Sequence, residues 1–380
     1  MQCDYFLEGQ CLSCSWLTKT YTQQLAEKQI ILSDKLRSFQ FTDIDPPVAS
    51  ETSAFRNKAK MAVLNTVEKP ILGIINHQQQ PIDLCDCPLY PQPLQQALAQ
   101  LKSYIKTVGL VPYNINKKRG ELKFIIMSYA DNKFMLRFVL RSSLMIEKIT
   151  ASLDTLYQLI PDLWVISVNI QPKHAAILEG DEEIILSQAD VLPIQLNHVP
   201  LYIRPQSFFQ TNTLVAEQLY KTAANWVKSL DTNNINKIYS IWDLFCGVGG
   251  FGLHCTDKFK KLTGIEINQS AIICAKQSAQ VMGLPSPDFQ ALDSTQFTLA
   301  QQQAPDLVLV NPPRRGLGQA LANFLQELQP SYILYSSCNL DSLLADILLL
   351  ENYHISKAQL FDMFPYTPHT ETMLLLTKNR

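Results

Sequence analysis

The chain has 380 residues, enough for two or three domains at about 150 residues each. Hydrophobic residues make up 47% of it and charged residues 17%, which excludes a disordered or collagen-like protein. Its net charge is −2, so contacts with nucleic acid would have to come from local basic patches.

The first five residues, Met1 to Tyr5, contain neither a basic region nor an apolar core. Such a start is not typical of a secretory signal peptide. No apolar run approaches the ~18 residues that a membrane span requires. We therefore expect a soluble protein in the cytoplasm.

The first ninety residues show little periodicity. A helix is predicted over 94–105, where apolar residues recur at helical spacing. Residues 123–187 then contain four short β-branched or aromatic runs that are typical of strands, with one predicted helix over 146–159. We expect this middle part to be an α+β domain with mostly antiparallel strands.

Strand and helix signals alternate in the last third of the chain. A helix capped by Asn212 is predicted to run to Leu230, and a polar linker over 231–237 follows it. The alternation then predicts βαβ units and a doubly wound parallel sheet, a fold that binds nucleotide cofactors. The predicted domains are an N-terminal cysteine-containing region, a central α+β domain and a C-terminal α/β domain, over residues 1–92, 93–200 and 201–380.

A glycine-rich turn follows the first strand of the α/β domain. Gly247, Gly249 and Gly252 match the G-x-G-x-x-G pattern of dinucleotide-binding turns, which alone is a weak signal. Glu266, at the end of the next strand, suits the ribose of either NAD or S-adenosylmethionine. Asp293, after the third strand, is expected near the adenine of the bound cofactor.

Two features of these strand ends favour S-adenosylmethionine over NAD. Asp243 ends the strand before the glycines, and Asn311 ends the fourth strand and is followed by Pro312 and Pro313. An Asn-Pro-Pro segment places a rigid polar group at the reactive end of the cofactor, where a dehydrogenase has no evident use for it.

The strand over 332–336 leads to a candidate nucleophile, Cys338. Chemistry in open α/β sheets takes place at the carboxyl ends of strands, which favours this role over that of a small core residue. Cys246 is the competing thiol, but it lies in the cofactor turn. Cys255 and Cys274 fall inside predicted helices and are expected in the core.

A cysteine beside a methyl donor suits methylation of a pyrimidine at C5. The C5 carbon becomes nucleophilic enough only after a thiolate adds to C6, and a base must later remove the C5 proton. Glu371 and His369 are the candidate bases near the C-terminus. A solvated surface carboxylate is the alternative interpretation of Glu371.

Five of the nine cysteines lie in the first ninety residues. Three clustered thiols with another thiol some seventy residues on are typical of four-thiolate sites for zinc or for an iron–sulfur cluster, and spacing alone leaves that choice open. The clustered thiols are Cys3, Cys11 and Cys14, and the distant candidates are Cys85 and Cys87.

Four segments together resemble the RNA uracil-C5 methyltransferase family, and the likeness extends over nearly the whole chain. The resemblance implies a Rossmann-like S-adenosylmethionine methyltransferase domain in which Cys338 is the nucleophile and Glu371 the base. The segments are Asp243-Leu244-Phe245-Cys246-Gly247, Asn311-Pro312-Pro313-Arg314, Ser337-Cys338-Asn339 and His369-Thr370-Glu371.

The resemblance also implies which residues surround S-adenosylmethionine. They are Gln210, Phe245, Glu266 and Asn311, together with the position of Gly250. Because some relatives have a polar residue where this chain has Gly250, a side-chain contact at that position stays open.

The resemblance implies a [4Fe-4S] cluster with a structural or RNA-positioning role, and it leaves Cys85 as the spare thiol. It further implies a loop uracil, 747 of 23S ribosomal RNA, as the target, and the same chemistry on another rRNA or tRNA uracil is the alternative. From this chain we expect no TRAM domain and no obligate protein partner. The implied cluster ligands are Cys3, Cys11, Cys14 and Cys87.

A uracil has to leave its stack before a thiol can reach C6, so the substrate is expected to be a loop nucleotide turned out into the site. Phe208 and Phe209 are candidates for stacking on a base. The candidate phosphate contacts are Arg56, Lys58 and Lys60, then Lys117, Lys118 and Arg119, and finally Arg314 and Arg315.

Two alternatives belong to other classes of protein. One is a non-enzymatic iron–sulfur or RNA-binding scaffold, against which the complete set of Glu266, Asn311, Cys338 and Glu371 argues. The other is an NAD oxidoreductase with an iron–sulfur domain.

Overall fold

The structure is a computed structural model that describes residues 1–175, 177–232 and 237–379. Its strands are β1 (Lys58–Asn65), β2 (Pro70–Ile75), β3 (Pro81–Asp83), β4 (Leu122–Ala130), β5 (Lys133–Leu140), β6 (Leu163–Ile170), β7 (Glu182–Ile185), β8 (Leu192–Leu196), β9 (Val199–Ile203), β10 (Ser240–Leu244), β11 (Lys261–Glu266), β12 (Asp288–Ala291), β13 (Leu307–Val310), β14 (Tyr332–Ser337), β15 (Tyr353–Phe361) and β16 (Glu371–Lys378).

Its α-helices are α1 (Asp4–Leu7), α2 (Tyr21–Leu36), α3 (Gln92–Val108), α4 (Ile146–Ala151), α5 (Leu153–Leu159), α6 (Thr213–Thr232), α7 (Gly250–Cys255), α8 (Gln269–Val281), α9 (Ser294–Leu299), α10 (Gln319–Leu328) and α11 (Leu340–Ile347). Short 3-10 turns lie at Arg37–Phe39 and Ser143–Met145. No helix in the described ranges is long and apolar enough to cross a membrane.

Contacts divide the chain into two compact units, each made of two segments. The first unit is Met1–Cys14 with Glu51–Pro193, and the second is Ser15–Ser50 with Ile194–Arg380. This division differs from the sequence-based ranges because α2, which has no clear apolar periodicity, buries Leu32 and Leu36 in the core of the second unit. Residues 51–92, in turn, fold with the central domain.

The first unit is built on a seven-stranded sheet in the order β3-β2-β1-β4-β5-β6-β7. All its strand pairs are antiparallel except β5 with β6, in line with the predicted α+β middle. Helix α3 covers the sheet, and the predicted apolar face of 94–105 is fully buried. The helix ends at Gly109, whose φ of +70° belongs to the left-handed region that glycine adopts readily.

The single helix predicted over 146–159 is wrong, because the structure has two helices there, α4 and α5. The break lies at Ser152. The Ser152 hydroxyl donates to the carbonyl oxygens of Lys148 and Ile149, at 2.9 and 3.0 Å. A serine that bonds back to the preceding turn competes with the helix hydrogen bonds, and this explains the interruption.

The second unit has a seven-stranded sheet in the order β12-β11-β10-β13-β14-β16-β15. The first five strands are parallel, as the strand–helix alternation predicts. Strand β16 runs antiparallel to them, and β15, which pairs antiparallel with β16, runs in the direction of the first five. The strand order reverses between β10 and β13. Ligands of open α/β sheets bind in the crevice beyond the carboxyl ends of the strands at such a reversal.

The antiparallel strand β16 begins where the parallel strand β14 ends. Ser337, the last residue of β14, is paired with Thr372, the second residue of β16. The residues that follow β14 and precede Thr372 therefore lie at the same edge of the sheet as the crevice. Cys338 and Glu371 occupy those positions.

Helix α2 is fixed to the segment after β15 by a buried ion pair. The Lys28 ammonium lies 2.7 Å from a carboxylate oxygen of Asp362, and both side chains are 0% exposed. Lys28 also donates to the carbonyl oxygen of Phe364, at 3.2 Å. The pair therefore connects α2 to the segment that leads into β16.

We predict that Lys28→Ala lowers the free energy of unfolding by about 3 to 5 kcal/mol, because it leaves the Asp362 carboxylate buried without its cation. Lys35→Ala is the matched control: it removes the exposed ion pair of the same helix with Asp341 and costs below about 1 kcal/mol. Urea unfolding of the two variants measures both values. Equal losses would contradict the importance of the buried pair.

Candidate active site

A cavity of about 600 Å³ opens at the carboxyl ends of β10, β11, β13 and β14. Its volume is in the range of small-molecule sites. Except for the candidate base His369, the residues predicted to bind the methyl donor or to act in catalysis line it: Gln210, Phe245, Gly250, Glu266, Asp293, Asn311, Cys338 and Glu371. The structure therefore brings together positions that are up to 161 residues apart, from Gln210 to Glu371.

The turn after β10 has an unusual backbone. Phe245, Gly247 and Gly249 have φ values of +64°, +54° and +88°, so the chain turns sharply after the strand. Glu266 accepts hydrogen bonds from the backbone N–H of Gly247 at 3.2 Å and of Asn268 at 2.9 Å. The carboxylate that is predicted to bind the ribose is thereby oriented at the end of β11.

Asp243 lies under this turn and is buried. Its carboxylate accepts a hydrogen bond from the backbone N–H of Gly252 at 2.7 Å, and a Cβ at Gly252 would come within 2.7 Å of the same oxygen. Burial, together with the charge of Glu266, raises the pKa of Asp243 to about 7. Asp243 therefore fixes the start of α7 and needs glycine at 252.

Asp293 and Asn311 lie on the other walls of the cavity. One carboxylate oxygen of Asp293 accepts from the backbone N–H groups of Thr295 and Gln296, both at 3.0 Å, so it caps α9. Asn311 follows β13 directly and is half-buried. The capping bonds fix the Asp293 side chain at the position where the adenine is predicted.

The Cys338 thiol is half-buried at the end of β14. Burial and the charge of Glu371 raise its pKa, whereas a hydrogen bond and the charge of Arg314 lower it. The carbonyl oxygen of Arg314 also accepts from the Asn339 side chain at 2.8 Å, which ties the two loops together. Arg314 is thus the cation that favours the thiolate.

Glu371 is 2% exposed, so its interpretation as a solvated surface carboxylate is wrong. Burial raises its pKa to about 7, and a hydrogen bond donated by the Ser336 hydroxyl opposes that rise. His369, the other candidate base, is exposed and is not among the residues that line the cavity. Of the two candidates, the structure places only Glu371 with Cys338.

The mouth of the cavity carries the predicted RNA-contacting side chains of this unit. Arg314 and Arg315 are exposed and line it. The two neighbouring aromatic residues differ: Phe208 is 71% exposed, whereas Phe209 is 8% exposed and belongs to the core. Both line the cavity, and Phe208, the more exposed of the two, is the better candidate for stacking on a base.

Two residues of the site carry no sequence signal that singles them out. Ser336 is the hydrogen-bond partner of Glu371, but in the sequence it is only one small residue within a predicted buried strand. Tyr220 lines the cavity from α6, although it belongs to no recognisable motif. Only the three-dimensional structure shows what these two side chains contact.

The four thiols predicted to bind the cluster interact with one another in the first unit. Burial, followed by the charges of Cys87, Cys11 and Cys3, raises the pKa of Cys14 to about 12. Burial also raises the pKa of Cys87 to about 11, again with contributions from Cys3 and Cys11. A bound cation relieves such repulsion between thiolates, and four thiolates are a donor set that both zinc and iron–sulfur clusters accept.

Cys85 is separate from these thiols. It is buried, and its pKa is raised by burial and then by Asp83. Within the ranges that the structure describes, no group of three or more His, Cys, Asp or Glu side chains already has the arrangement of a metal site. Cys246, Cys255 and Cys274 are buried in the second unit, the last two in helices as predicted.

The basic residues of the first unit differ in exposure. Lys117, Lys118 and Arg119 are all exposed in the loop before β4. Arg56 instead donates to the carbonyl oxygen of Lys58 at 3.2 Å and lies near the Cys14 and Cys87 thiols. Burial lowers the pKa of Lys58 to about 8, and of Arg56, Lys58 and Lys60 only Lys60 is exposed.

We predict that Arg314→Gln shifts the pH midpoint of Cys338 alkylation by iodoacetamide to higher pH, because it removes the cation that favours the thiolate. Glu371→Gln should shift the midpoint to lower pH, since it removes the neighbouring negative charge. Arg315→Gln is the control and should leave the midpoint in place. Alkylation rates of Cys338, followed by peptide mass spectrometry from pH 6 to 10, measure all three; shifts of the same sign for Arg314→Gln and Glu371→Gln would contradict this arrangement.

Comparison with known proteins identifies close relatives along the full length. One is the 23S rRNA (uracil(747)-C(5))-methyltransferase RlmC of Yersinia pestis (strain Pestoides F), 52% identical over 382 residues, with 100% of both chains covered. Another, of the same name, is from Xenorhabdus bovienii and is 53% identical over 378 residues, with 99% of both chains covered.

The fold is also that of a solved structure. The tRNA (uracil-54, C5)-methyltransferase of Pyrococcus abyssi, in complex with S-adenosyl-L-homocysteine, superposes with a TM-score of 0.80. It is 23% identical, and the match covers 96% of this chain and 86% of that one. The sequence model of the tRNA (uracil-5-)-methyltransferase family matches residues 20–379. This chain is therefore a member of the tRNA (uracil-5-)-methyltransferase family.

Proposed function

We propose that the protein methylates C5 of a loop uracil in 23S ribosomal RNA, at the position equivalent to 747, with S-adenosylmethionine as methyl donor. The observation that carries this proposal is the position of Cys338 beside Glu371 in one cavity, together with the six predicted donor-binding residues. Family membership supports the chemistry, and the full-length RlmC relatives support the target. Neither the scaffold nor the NAD alternative gains a supporting observation.

Cys338 begins the reaction as the nucleophile. Its thiolate Sγ forms a bond to C6 of the uracil, and the electrons of the C5–C6 double bond move to the C4 carbonyl oxygen as an enolate. The bound methyl donor supplies an electrophilic methyl group for C5. Arg314 assists the first step because it favours the thiolate form of Cys338.

Glu371 completes the reaction as the base. Its carboxylate takes the C5 proton, the C5–C6 double bond forms again, and Sγ leaves as the thiolate. With a pKa of about 7, Glu371 is a stronger base than an exposed carboxylate and is about half ionised at pH 7. The Ser336 hydroxyl holds the carboxylate in place.

We predict that Glu371→Gln accumulates a covalent enzyme–RNA adduct and turns over at least about a hundredfold more slowly, because the C5 proton has no base to accept it. Cys338→Ala should form no adduct. The matched control, His369→Gln, should turn over normally, since His369 lies outside the cavity lining. Denaturing gels of labelled RNA detect the adduct; an adduct in Cys338→Ala would contradict the assignment.

RNA contacts are supported by the exposed side chains at the cavity mouth and by one exposed basic loop. Phe208, Arg314 and Arg315 surround the opening through which a turned-out base would enter. In the first unit, Lys117, Lys118 and Arg119 form a basic triplet in which all three side chains are exposed. We assign this unit the role of reading the RNA that surrounds the target uracil.

Methyl transfer from labelled S-adenosylmethionine tests the proposed target. Unmodified 23S rRNA and bulk tRNA are offered to the same enzyme, and the labelled nucleotide is mapped. We expect label in a single 23S loop uracil. Label confined to tRNA would retain the chemistry and overturn the target, and no label in either RNA would overturn the proposed function.

We further propose that Cys3, Cys11, Cys14 and Cys87 hold a [4Fe-4S] cluster. Two observations support this ligand set. Burial and the other thiols of the set raise the pKa of Cys14 and of Cys87, whereas Cys85 is affected by Asp83 but not by these thiols. Iron–sulfur clusters are held by four thiolates, and the methylation itself includes no oxidation or reduction that would need the cluster. The cluster would therefore hold α1 and the loop after β3 together.

We predict that anaerobically purified protein is coloured and contains iron and acid-labile sulfide in equal amounts. Cys87→Ser should lose both, because it removes a ligand. Cys85→Ser should retain both, as the matched control two positions away in the sequence. A colourless wild-type preparation with stoichiometric zinc would contradict an iron–sulfur cluster.

A further inference from the structure

Gly250 and Tyr220 face each other across one wall of the cavity. A Cβ built on Gly250 would lie 2.6 Å from the Tyr220 hydroxyl oxygen and 2.7 Å from Cζ of the ring, closer than Cβ contacts occur in proteins. Both residues line the cavity. The Tyr220 hydroxyl thus occupies the space that a side chain at position 250 would take.

The Tyr220 ring is held firmly. It packs edge-on against Phe251, with centroids 5.0 Å apart, and stacks on His254 at 4.9 Å. His254 is itself fixed, since its Nδ1 lies 2.6 Å from the Gly250 carbonyl oxygen and its Nε2 lies 3.1 Å from that of Leu196. The hydroxyl is therefore presented to the cavity in one position.

The hydroxyl is available as a donor. No residue in the described part of the chain forms a hydrogen bond with it, although Tyr220 is only 6% exposed. Burial and the charges of Asp243 and Glu371 raise the pKa of Tyr220, so the phenol keeps its proton at neutral pH. The hydroxyl lines the cavity, so a ligand bound there with an acceptor atom can take its hydrogen bond.

We propose that Tyr220 is a further methyl-donor-binding residue: its hydroxyl donates a hydrogen bond to S-adenosylmethionine in place of a side chain at position 250. The inference rests on the proposed function and assigns one more contact within that same site. It also explains why this chain has glycine at 250, since the tyrosine on α6 leaves no room for a Cβ there.

Tyr220→Phe tests the contact, because it removes the hydroxyl and keeps the ring that packs on Phe251 and His254. Titration calorimetry with S-adenosylhomocysteine should show binding weakened about three- to tenfold, the effect of one lost hydrogen bond. Tyr353→Phe is the control: Tyr353 is also buried, and its hydroxyl donates to Pro330 in the same unit. Its affinity should equal that of the wild type.

An exchange of the two residues gives an independent measurement. Gly250→Asn in a Tyr220→Ala background should bind S-adenosylhomocysteine more tightly than Tyr220→Ala alone, because the asparagine amide then supplies the donor. Unchanged affinity in Tyr220→Phe would overturn the inference and leave the proposed function standing. A wild-type enzyme that binds no S-adenosylhomocysteine would overturn both.

Discussion

The antiparallel pairing of β16 with β14 is the constraint on which the site depends. It places Thr372 opposite Ser337, so the residue after one strand and the first residue of the other meet at the crevice of the sheet. Cys338 and Glu371 are those residues. A shift of one residue in this register would turn Glu371 to the other face of the sheet and separate the two.

Burial then sets the chemistry of the two groups. Burial raises the pKa of both the thiol and the carboxylate, and the charge of Glu371 further disfavours the thiolate. Two neighbours lower these pKa values again. Arg314 lowers that of the thiol, and the hydrogen bond from the Ser336 hydroxyl lowers that of the carboxylate. A thiolate favoured by its own cation suits the first step, addition to C6. A carboxylate of raised pKa suits the last step, removal of the C5 proton.

The sequence predicts those parts of the structure that local chemistry determines. The glycine turn, the strand ends at Asn311 and Cys338, and the Asn212 cap, whose side chain accepts from Val215, all follow from residue type and spacing. The position of α2 could not be predicted, because Lys28 reads as a surface lysine until its partner Asp362, 334 residues away, is known. The burial of such a residue depends on packing between distant segments, and the local sequence around the residue does not indicate that packing.

The same limit applied to Glu371, since a polar segment near the C-terminus gives no sign that β14 will bury its carboxylate.

The most direct test of the proposed mechanism is the reaction with RNA that contains 5-fluorouracil. Fluorine at C5 leaves no proton for Glu371 to remove, so the bond from Cys338 to C6 is trapped after methyl transfer. We predict a stable adduct whose nucleotide maps by mass spectrometry to the peptide containing Cys338. An adduct at Cys246, or none while uracil RNA is still methylated, would contradict the account.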